Sequence, residues 1–479
     1  MRNTLLVTAL GLALSGCSFA PTYQRPEVPV PAQWEVSIQT ANNLANTTWW
    51  KQFQDPVLDN LIQIALQENK DVQIAAARVE EYMGRYGVTR SAQFPQVGAN
   101  ADAARTRASE SKDVALAENP VNDFRVDLGV SFELDLWGKL RNATEAARAQ
   151  LLATEEARRT VILTLVSQLA NSYVRLLDFD QQLAVTRATL QTRSESVRIN
   201  GLRFRAGLTS ELDYQQAVAE YQNAAVQVPL LERQIGQQEN AISLLLGRNP
   251  GTISRGVSLD RLAMPQVPGG LPSELLERRP DIRGAEQQLI AANALIGVAK
   301  AAFFPSISLT GLFGVASTDL SDLFKGPSKT WQFAGALAQP IFTGGALTGQ
   351  LQVAEAVQKQ ALLNYQQTIQ TAFAEVDNSL IAVSKLREQL KDQVVQVSAL
   401  QRNLDLATLR YQNGYSDYLT VVDADRNLYS AQLQYVQSQG DLFSAMVSLY
   451  KAMGGGWIEQ VEQAGTALAN PTASAPPAS

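Results

Sequence analysis

Cys17 is the only cysteine among 479 residues, and Leu14, Ser15 and Gly16 lead directly into it. A thiol there can do one obvious piece of chemistry: carry a covalent lipid. Met1-Arg2-Asn3 is a short basic start, and an apolar run follows from Leu5 to Leu14. That is the anatomy of a secretory signal, with small residues at the cut site. The run is too short to span a bilayer. The pattern is similar to a bacterial lipobox, in which the cysteine becomes the lipidated first residue of the mature chain. The competing reading is an ordinary cleaved signal with a chance cysteine beside it. The expectation is residues 1–16 as signal and 17–54 as a lipidated N-terminal segment.

Little other covalent chemistry is available. The chain has no histidine, which removes the commonest general base and transition-metal ligand. With its one cysteine assigned to lipid, thiolate metal sites and disulfides are also excluded. The acidic residues form no motif with catalytic spacing. Gly344-Gly345 and Gly454-Gly455-Gly456 lack the Gly-Lys-Ser/Thr ending of a phosphate loop. A net charge of −6 offers no field for nucleic acid. No enzyme, metal or cofactor is expected, apart from lipid on Cys17.

The remaining residues are laid out by a duplicated unit. Leu61, Asp71, Ala75, Val88, Phe94 and Pro95 return as Leu271, Asp281, Ala285, Val298, Phe304 and Pro305, 210 positions later. Farther on, Gly138, Leu202, Arg203, Gly207, Leu212 and Gly247 return as Gly345, Leu409, Arg410, Gly414, Leu419 and Gly454, 207 positions later. The three-residue change falls between 95 and 138, where a loop must tolerate variation in length. The units are expected at 55–247 and 271–457, joined by a linker at 248–270. A small-residue, proline-containing tail follows from 458 to 479.

Each unit reads helix, strand, strand, long helix, tip, return helix. From Phe124 to Leu136 apolar residues alternate with Arg125, Asp127, Gly129, Ser131, Glu133 and Asp135. Thirteen extended residues reach roughly 43 Å, enough to cross a bilayer core of ~30 Å at a tilt of about 45°. Weaker alternation marks strands near 96–104, 305–316 and 330–341. A soluble, half-buried sheet alternates too, but strand length and the charges on one face favour a membrane barrel. Four strands cannot close a barrel, and open edges are not tolerated in lipid. Copies of the chain must therefore pair through their edges. Three copies give twelve strands, and two or four remain open on this reasoning.

Between Gly345 and Tyr411 the only proline or glycine is Gly349. One continuous helix there is roughly 100 Å long. Val383, Leu386, Leu390, Val394, Val397, Leu400, Leu404, Ala407 and Tyr411 form a seam spaced by threes and fours. Ile162, Val166, Leu169, Tyr173, Leu176 and Leu183 do the same in the first unit. Each long helix ends in a matching tip. Gly207 and Gly414 suit a left-handed cap. Ser210 with Asp213 resembles a capping box for the return helix. Arg203 and Arg410 sit where the helix dipole favours cations.

The lipobox and the duplication, with Phe303-Phe304-Pro305-Ser306-Ile307-Ser308-Leu309, Pro340-Ile341-Phe342, Arg278-Arg279-Pro280-Asp281 and Gly454-Gly455-Gly456-Trp457, resemble the outer-membrane factor family. These are TolC-like efflux channels, and the lipoprotein NodT/OprM type most of all. The resemblance covers nearly the whole chain. It implies an α+β membrane protein: a homotrimer whose twelve-stranded β-barrel continues into a long α-helical periplasmic barrel. It implies a lipid-anchored place in the outer membrane, with which Ser18 after the cysteine is compatible. It implies service as the passive exit duct of a tripartite pump for drugs and other small toxic compounds. The partners would be a periplasmic adaptor and an inner-membrane transporter, usually of the resistance-nodulation-division class. The family's gate residues correspond to Leu419 and Asp423, with Arg410 before the second tip. Gly207, Leu208, Thr209, Ser210, Gly414, Tyr415 and Ser416 would meet the adaptor. The first unit carries Leu212 and Gln216 at the places of Leu419 and Asp423, so the acidic ring would hold three carboxylates, not six.

A structural envelope lipoprotein without a pore is the main alternative. The amphipathic strands separate the two, because a spacer has no use for such alternation.

Overall fold

A computed structural model describes residues 19–31, 34, 49–109, 119–265 and 272–455. Cys17, Ser18, Trp457 and the tail from 458 lie outside the described residues. The chain divides into two compact units.

One unit comprises the described residues up to Glu27 together with Arg78–Glu155 and Gly284–Gln366. Its centre is an antiparallel sheet in the order β1 (Gln96–Thr106), β2 (Val121–Leu134), β3 (Ser306–Ser317), β4 (Lys329–Ala338). Residues 107–120 join the first pair and residues 318–328 the second, so the first connection is three residues longer. That is the change of spacing between the repeats. The register brings Ala99, Leu128, Phe313 and Trp331 side by side, and Ala101, Val126 and Val315 next to them. One face is therefore apolar across all four strands. Leu128, Phe313, Trp331 and Phe333 on it are 53%, 62%, 70% and 79% exposed, far more apolar surface than water tolerates on one face. The opposite face carries Asn100, Asp102, Arg125, Asp127, Ser131, Thr310 and Gln332. Among the described residues β1 and β4 are edges, each with one unpaired row of backbone groups.

β2 stops at Leu134, two residues before the alternation does. The Asp135 carboxylate accepts from the backbone of Leu140 at 3.0 Å and Arg141 at 2.8 Å, the first turn of the next helix. Its charge serves as a helix cap rather than as part of a strand face.

Helix α2 (Lys70–Ser91) leads into β1 and α6 (Pro280–Ala301) into β3, and both strands start beside the C-terminal end of β2. (α1 is Pro56–Glu68.) The N-terminal segment lies along α6. Phe19 stacks on Phe304, ring centroids 4.4 Å apart, and Trp137 stacks on Phe304 at 5.0 Å. Asn293 Nδ2 donates to the Pro21 carbonyl at 2.7 Å. Tyr23 Oη and Arg25 Nε donate to Glu286 at 3.0 and 2.8 Å. Gly297 lets the chain close in, since a Cβ there would lie 2.7 Å from Ala20 Cβ.

The other unit comprises the described parts of Val28–Ala77, Glu156–Arg283 and Gln367–Ser479. It holds most of the long helices α3 (Lys139–Arg205) and α7 (Ala346–Gln412), 67 residues each. It also holds α4 (Glu211–Ala225), α5 (Gln227–Leu245) and α8 (Tyr418–Ala452). The first return helix is broken where the second runs on. Pro229, on the third residue of α5, has no N–H to give the Ala225 carbonyl one turn back. Part of α3 is apolar and long enough to cross a membrane by composition, yet over half of that stretch is buried inside the chain. Leu165, Val166, Leu169, Tyr173, Leu176 and Leu177 all pack there. The matching seam of α7 is less covered in one chain, with Val394 and Val395 exposed.

A buried carboxylate organises the core. Asp55 Oδ1 caps α1 through Val57 N at 2.8 Å and Leu58 N at 3.2 Å. Its Oδ2 accepts from Tyr173 Oη at 2.8 Å and Val257 N at 3.2 Å. Four donors replace the water that burial removes. Arg279 closes the far end of α8, donating to the Ala452 carbonyl at 3.1 Å while paired with Asp281 and Glu375. That gives the Arg-Arg-Pro-Asp motif a structural task.

Candidate functional site

The two tips have the same geometry. Gly207 and Gly414 take φ values of +70° and +77°, which cost a side-chain-bearing residue energy and glycine none. Gly207 N donates to Phe204 O at 2.9 Å and Leu208 N to Arg203 O at 2.8 Å. In the second tip Gly414 N donates to Tyr411 O at 3.0 Å and Tyr415 N to Arg410 O at 2.9 Å. These paired bonds satisfy the last helix carbonyls. Ser210 Oγ then accepts from Asp213 N at 3.1 Å and starts α4. The reciprocal half of the box is absent, because the Asp213 carboxylate takes the Thr209 hydroxyl instead. Asp417 starts α8, accepting from Thr420 N at 3.2 Å and Thr420 Oγ1 at 2.7 Å. Those bonds hold its carboxyl below the ordinary value.

Leu208 and Tyr415, equivalent in the two tips, are 73% and 77% exposed. Leu419 and Asp423 lie one turn apart on the exposed side of α8, and Arg426 Nη1 approaches Asp423 at 3.8 Å. Arg410 is exposed, and its guanidinium makes no ion pair among the described residues. Its carbonyl does the local work. Arg203 instead lies over the Tyr411 ring, 5.3 Å from the centroid. Ser416 Oγ is buried without a hydrogen-bond partner among the described residues.

Just behind the tips lies a constellation that sequence reasoning missed. Three polar residues of α3, each seven apart, are buried on its seam: Thr186, Arg193 and Asn200. Thr186 Oγ1 meets Tyr429 Oη at 3.0 Å. Arg193 Nε donates to Asp425 Oδ2 at 2.7 Å and Nη1 to the Glu220 carbonyl at 2.7 Å. The Glu220 carboxylate is 3.2 Å from Arg193 and also binds Arg426. Asn200 Oδ1 accepts from Tyr411 Oη at 3.3 Å. Tyr418 packs beside them with Ala217 and Val422. Burial, with the Asp425 charge adding to it, pushes the Tyr418 phenol up to about 12. A groove of about 660 Å³ lies along α3, α7 and α8, lined by Arg193, Asn200, Arg203, Tyr411, Tyr418 and Asp425 among others.

The signal for this constellation was present. Leu183 continues at Thr186, Arg193 and Asn200 with the seam's own spacing, and Ala217-Glu220-Ala224 puts an acid on a buried stripe.

An exposed apolar sheet with two free edges and long helices that end in polar-seamed tips are features a membrane channel needs. The profile of the family described as outer membrane efflux protein matches residues 61–248 and 271–455, one match for each repeat. The toluene efflux pump outer membrane protein TtgC of Pseudomonas putida is 39% identical over 471 residues, 97% of each chain. The cation efflux system protein CusC of Escherichia coli is 38% identical, covering 95% of this chain and 98% of its own. The CmeC outer membrane channel of Campylobacter jejuni superposes with a TM-score of 0.87 at 27% identity, covering 94% of this chain and 98% of its own.

The chain belongs to the outer membrane efflux protein family. It is an efflux channel of the outer membrane whose helices extend into the periplasm. The family resemblance, the fold class and the outer-membrane location expected from the sequence are thereby borne out; the lipid anchor stays an expectation.

Proposed function

We propose that three copies of this chain form the passive exit duct of a tripartite pump. The four-stranded sheet with its two free edges carries the reading. Edge pairing of β1 with β4 of the next copy yields twelve strands and leaves no edge in lipid. The apolar face meets lipid and the polar face lines the lumen. An adaptor would engage the tips around Leu208, Thr209, Ser210, Tyr415 and Ser416, with Gly207 and Gly414 setting their shape. A proton-driven transporter of the resistance-nodulation-division class would supply the cargo.

The gate is placed at Leu419 and Asp423 near the threefold axis, with Arg410 alongside. Three carboxylates brought together repel, so apolar contacts and ionic links must hold the end shut. Lipid on Cys17 adds a second attachment to the membrane. The cargo class is drugs and small toxic compounds. Relatives named for toluene and for cations stand at nearly equal identity, which supports selection upstream of this chain. Deleting the gene and exposing cells to a panel of antibiotics, solvents and metal salts tests the reading. Sensitisation to several classes is expected. An unchanged panel, with the purified protein also failing to conduct in planar bilayers, would sink it.

A further inference from the structure

The two hairpins of one chain are not held together evenly along their length. At Arg193 the contact is buried and ionic: Arg193 is 3% exposed and Glu220 6%. Arg193 of α3 is bound at once to Glu220 of α4 and Asp425 of α8. The ring of Tyr429 adds a cation–π contact 5.1 Å from its guanidinium. Pulling α8 away here would take Asp425 from the buried Arg193 guanidinium and Arg426 from the buried Glu220 carboxylate, two ionic bonds lost at once. Nearer the tip no ion pair joins the two hairpins among the described residues; the contact there is the apolar cluster of Ala217, Tyr418 and Val422, with Arg203 over the Tyr411 ring. A single neutral hydrogen bond of 3.3 Å joins Tyr411 to Asn200. The groove beside α7 leaves its last turns room to move.

We propose that the Arg193–Glu220–Asp425 cluster is a fulcrum, resting on the reading that the tips close the duct. α8 stays fixed to α3 and α4 at this level within each protomer. The turns beyond it swing: about twelve residues of α3, or ~18 Å, and about seven of α8, or ~10 Å. The end opens by bending about Arg193, not by sliding of whole hairpins. The cluster has no counterpart in the repeat, where Arg193 matches Leu400, Glu220 matches Asn427 and Asp425 matches Val218. It serves a contact between the two halves rather than a fold common to both.

Two cross-links test it in cells. Above the fulcrum, a Cβ on Gly440 would lie 3.2 Å from Asp178 Cβ, so Asp178→Cys with Gly440→Cys can form a disulfide between α3 and α8. Below it, Asn200→Cys with Tyr411→Cys can be bridged by a short, reducible bis-thiol linker. The upper disulfide should leave dye export within twofold of the reduced protein. The lower bridge should cut export at least tenfold, and reductant should restore it. Export blocked by the upper disulfide, or untouched by the lower bridge, overturns the fulcrum. In addition, Asp425→Asn should raise closed-state conductance at least threefold while the heat-resistant oligomer persists on gels; unchanged conductance with that oligomer intact also overturns it. Failure of the reduced, unbridged proteins to export at all would count instead against the duct.

Discussion

Tyr411 and Asn200 meet across the ends of the two long helices, hydroxyl to amide oxygen at 3.3 Å. They are not repeat equivalents, so this link, like the Arg193 cluster, ties one half of the duplication to the other. One neutral hydrogen bond contributes about 0.5–1.5 kcal/mol. Tyr411→Phe should therefore raise the open population of the channel roughly two- to tenfold, read as longer openings in planar bilayers. An open time equal to that of the parent would show that the contact does not restrain the tip.

Leu419 and Asp423 share one exposed face of α8. Replacing both by alanine should raise single-channel conductance and sensitise cells to vancomycin through the leak. Arg410→Ala should do less, since its guanidinium makes no ion pair within the described chain. Equal effects from the two changes would assign Arg410 an inter-subunit bond.

Alkaline pH offers a separate probe of the tip. The Tyr418 phenol is pushed from its ordinary value near 10 up to about 12 by burial and by Asp425. Below pH 10 the group is neutral whether folded or not, and its contribution is complete. Between 10 and about 12 only the unfolded form ionises, so stability is lost as pH rises. Melting curves over that window should fall more steeply for the parent than for Tyr418→Phe. Parallel curves would mean that the phenol is not confined as described.

Asp178 sits at the close approach of α3 and α8, where burial raises its pKa despite the hydrogen bond from Gln182. A carboxyl with a raised pKa gives most stability when protonated, so at neutral pH its charge is a liability. Asp178→Asn should stabilise the protein by about 1 kcal/mol, seen as a higher Tm whose advantage shrinks in acid. A lower Tm at neutral pH would reveal an unrecognised cation partner.

Cys17→Ala behind a non-lipoprotein signal should lose acyl labelling yet remain in the outer-membrane fraction, because the strands supply their own apolar face. Recovery as a soluble protein would mean that the sheet does not insert.

Periodic features were readable because they repeat. The long helices, the tips at Gly207 and Gly414, and the alternation of β2 each declare themselves through spacing or through glycine. What stayed hidden depends on pairing between distant segments. Asp135 looks like one more polar strand residue until its carboxylate is seen capping α3. Pro229 was visible, yet a proline near a helix start is also tolerated, so the break at Val226 was not forced. Arg193 and Asp425 lie 232 residues apart, and no local pattern says which buried arginine meets which acid. The spacing of Arg193 within the seam marked it as buried. Its partners came only with the fold.

The N-terminal segment acts as a ruler. From Ala20 to Arg25 five residue steps can reach at most roughly 16 Å. From Gly297 back to Glu286, α6 takes eleven helical steps, also roughly 16 Å. The two scales agree, so Phe19 reaches its stack on Phe304 just as Arg25 reaches Glu286. One inserted residue would add at most ~3.3 Å, which the long Tyr23 and Arg25 side chains, already meeting one carboxylate from positions two apart, would have to take up. Side chains such as Thr22 and Gln24 are free to vary. Phe19, Tyr23 and Arg25 are the side chains that hold the segment on α6.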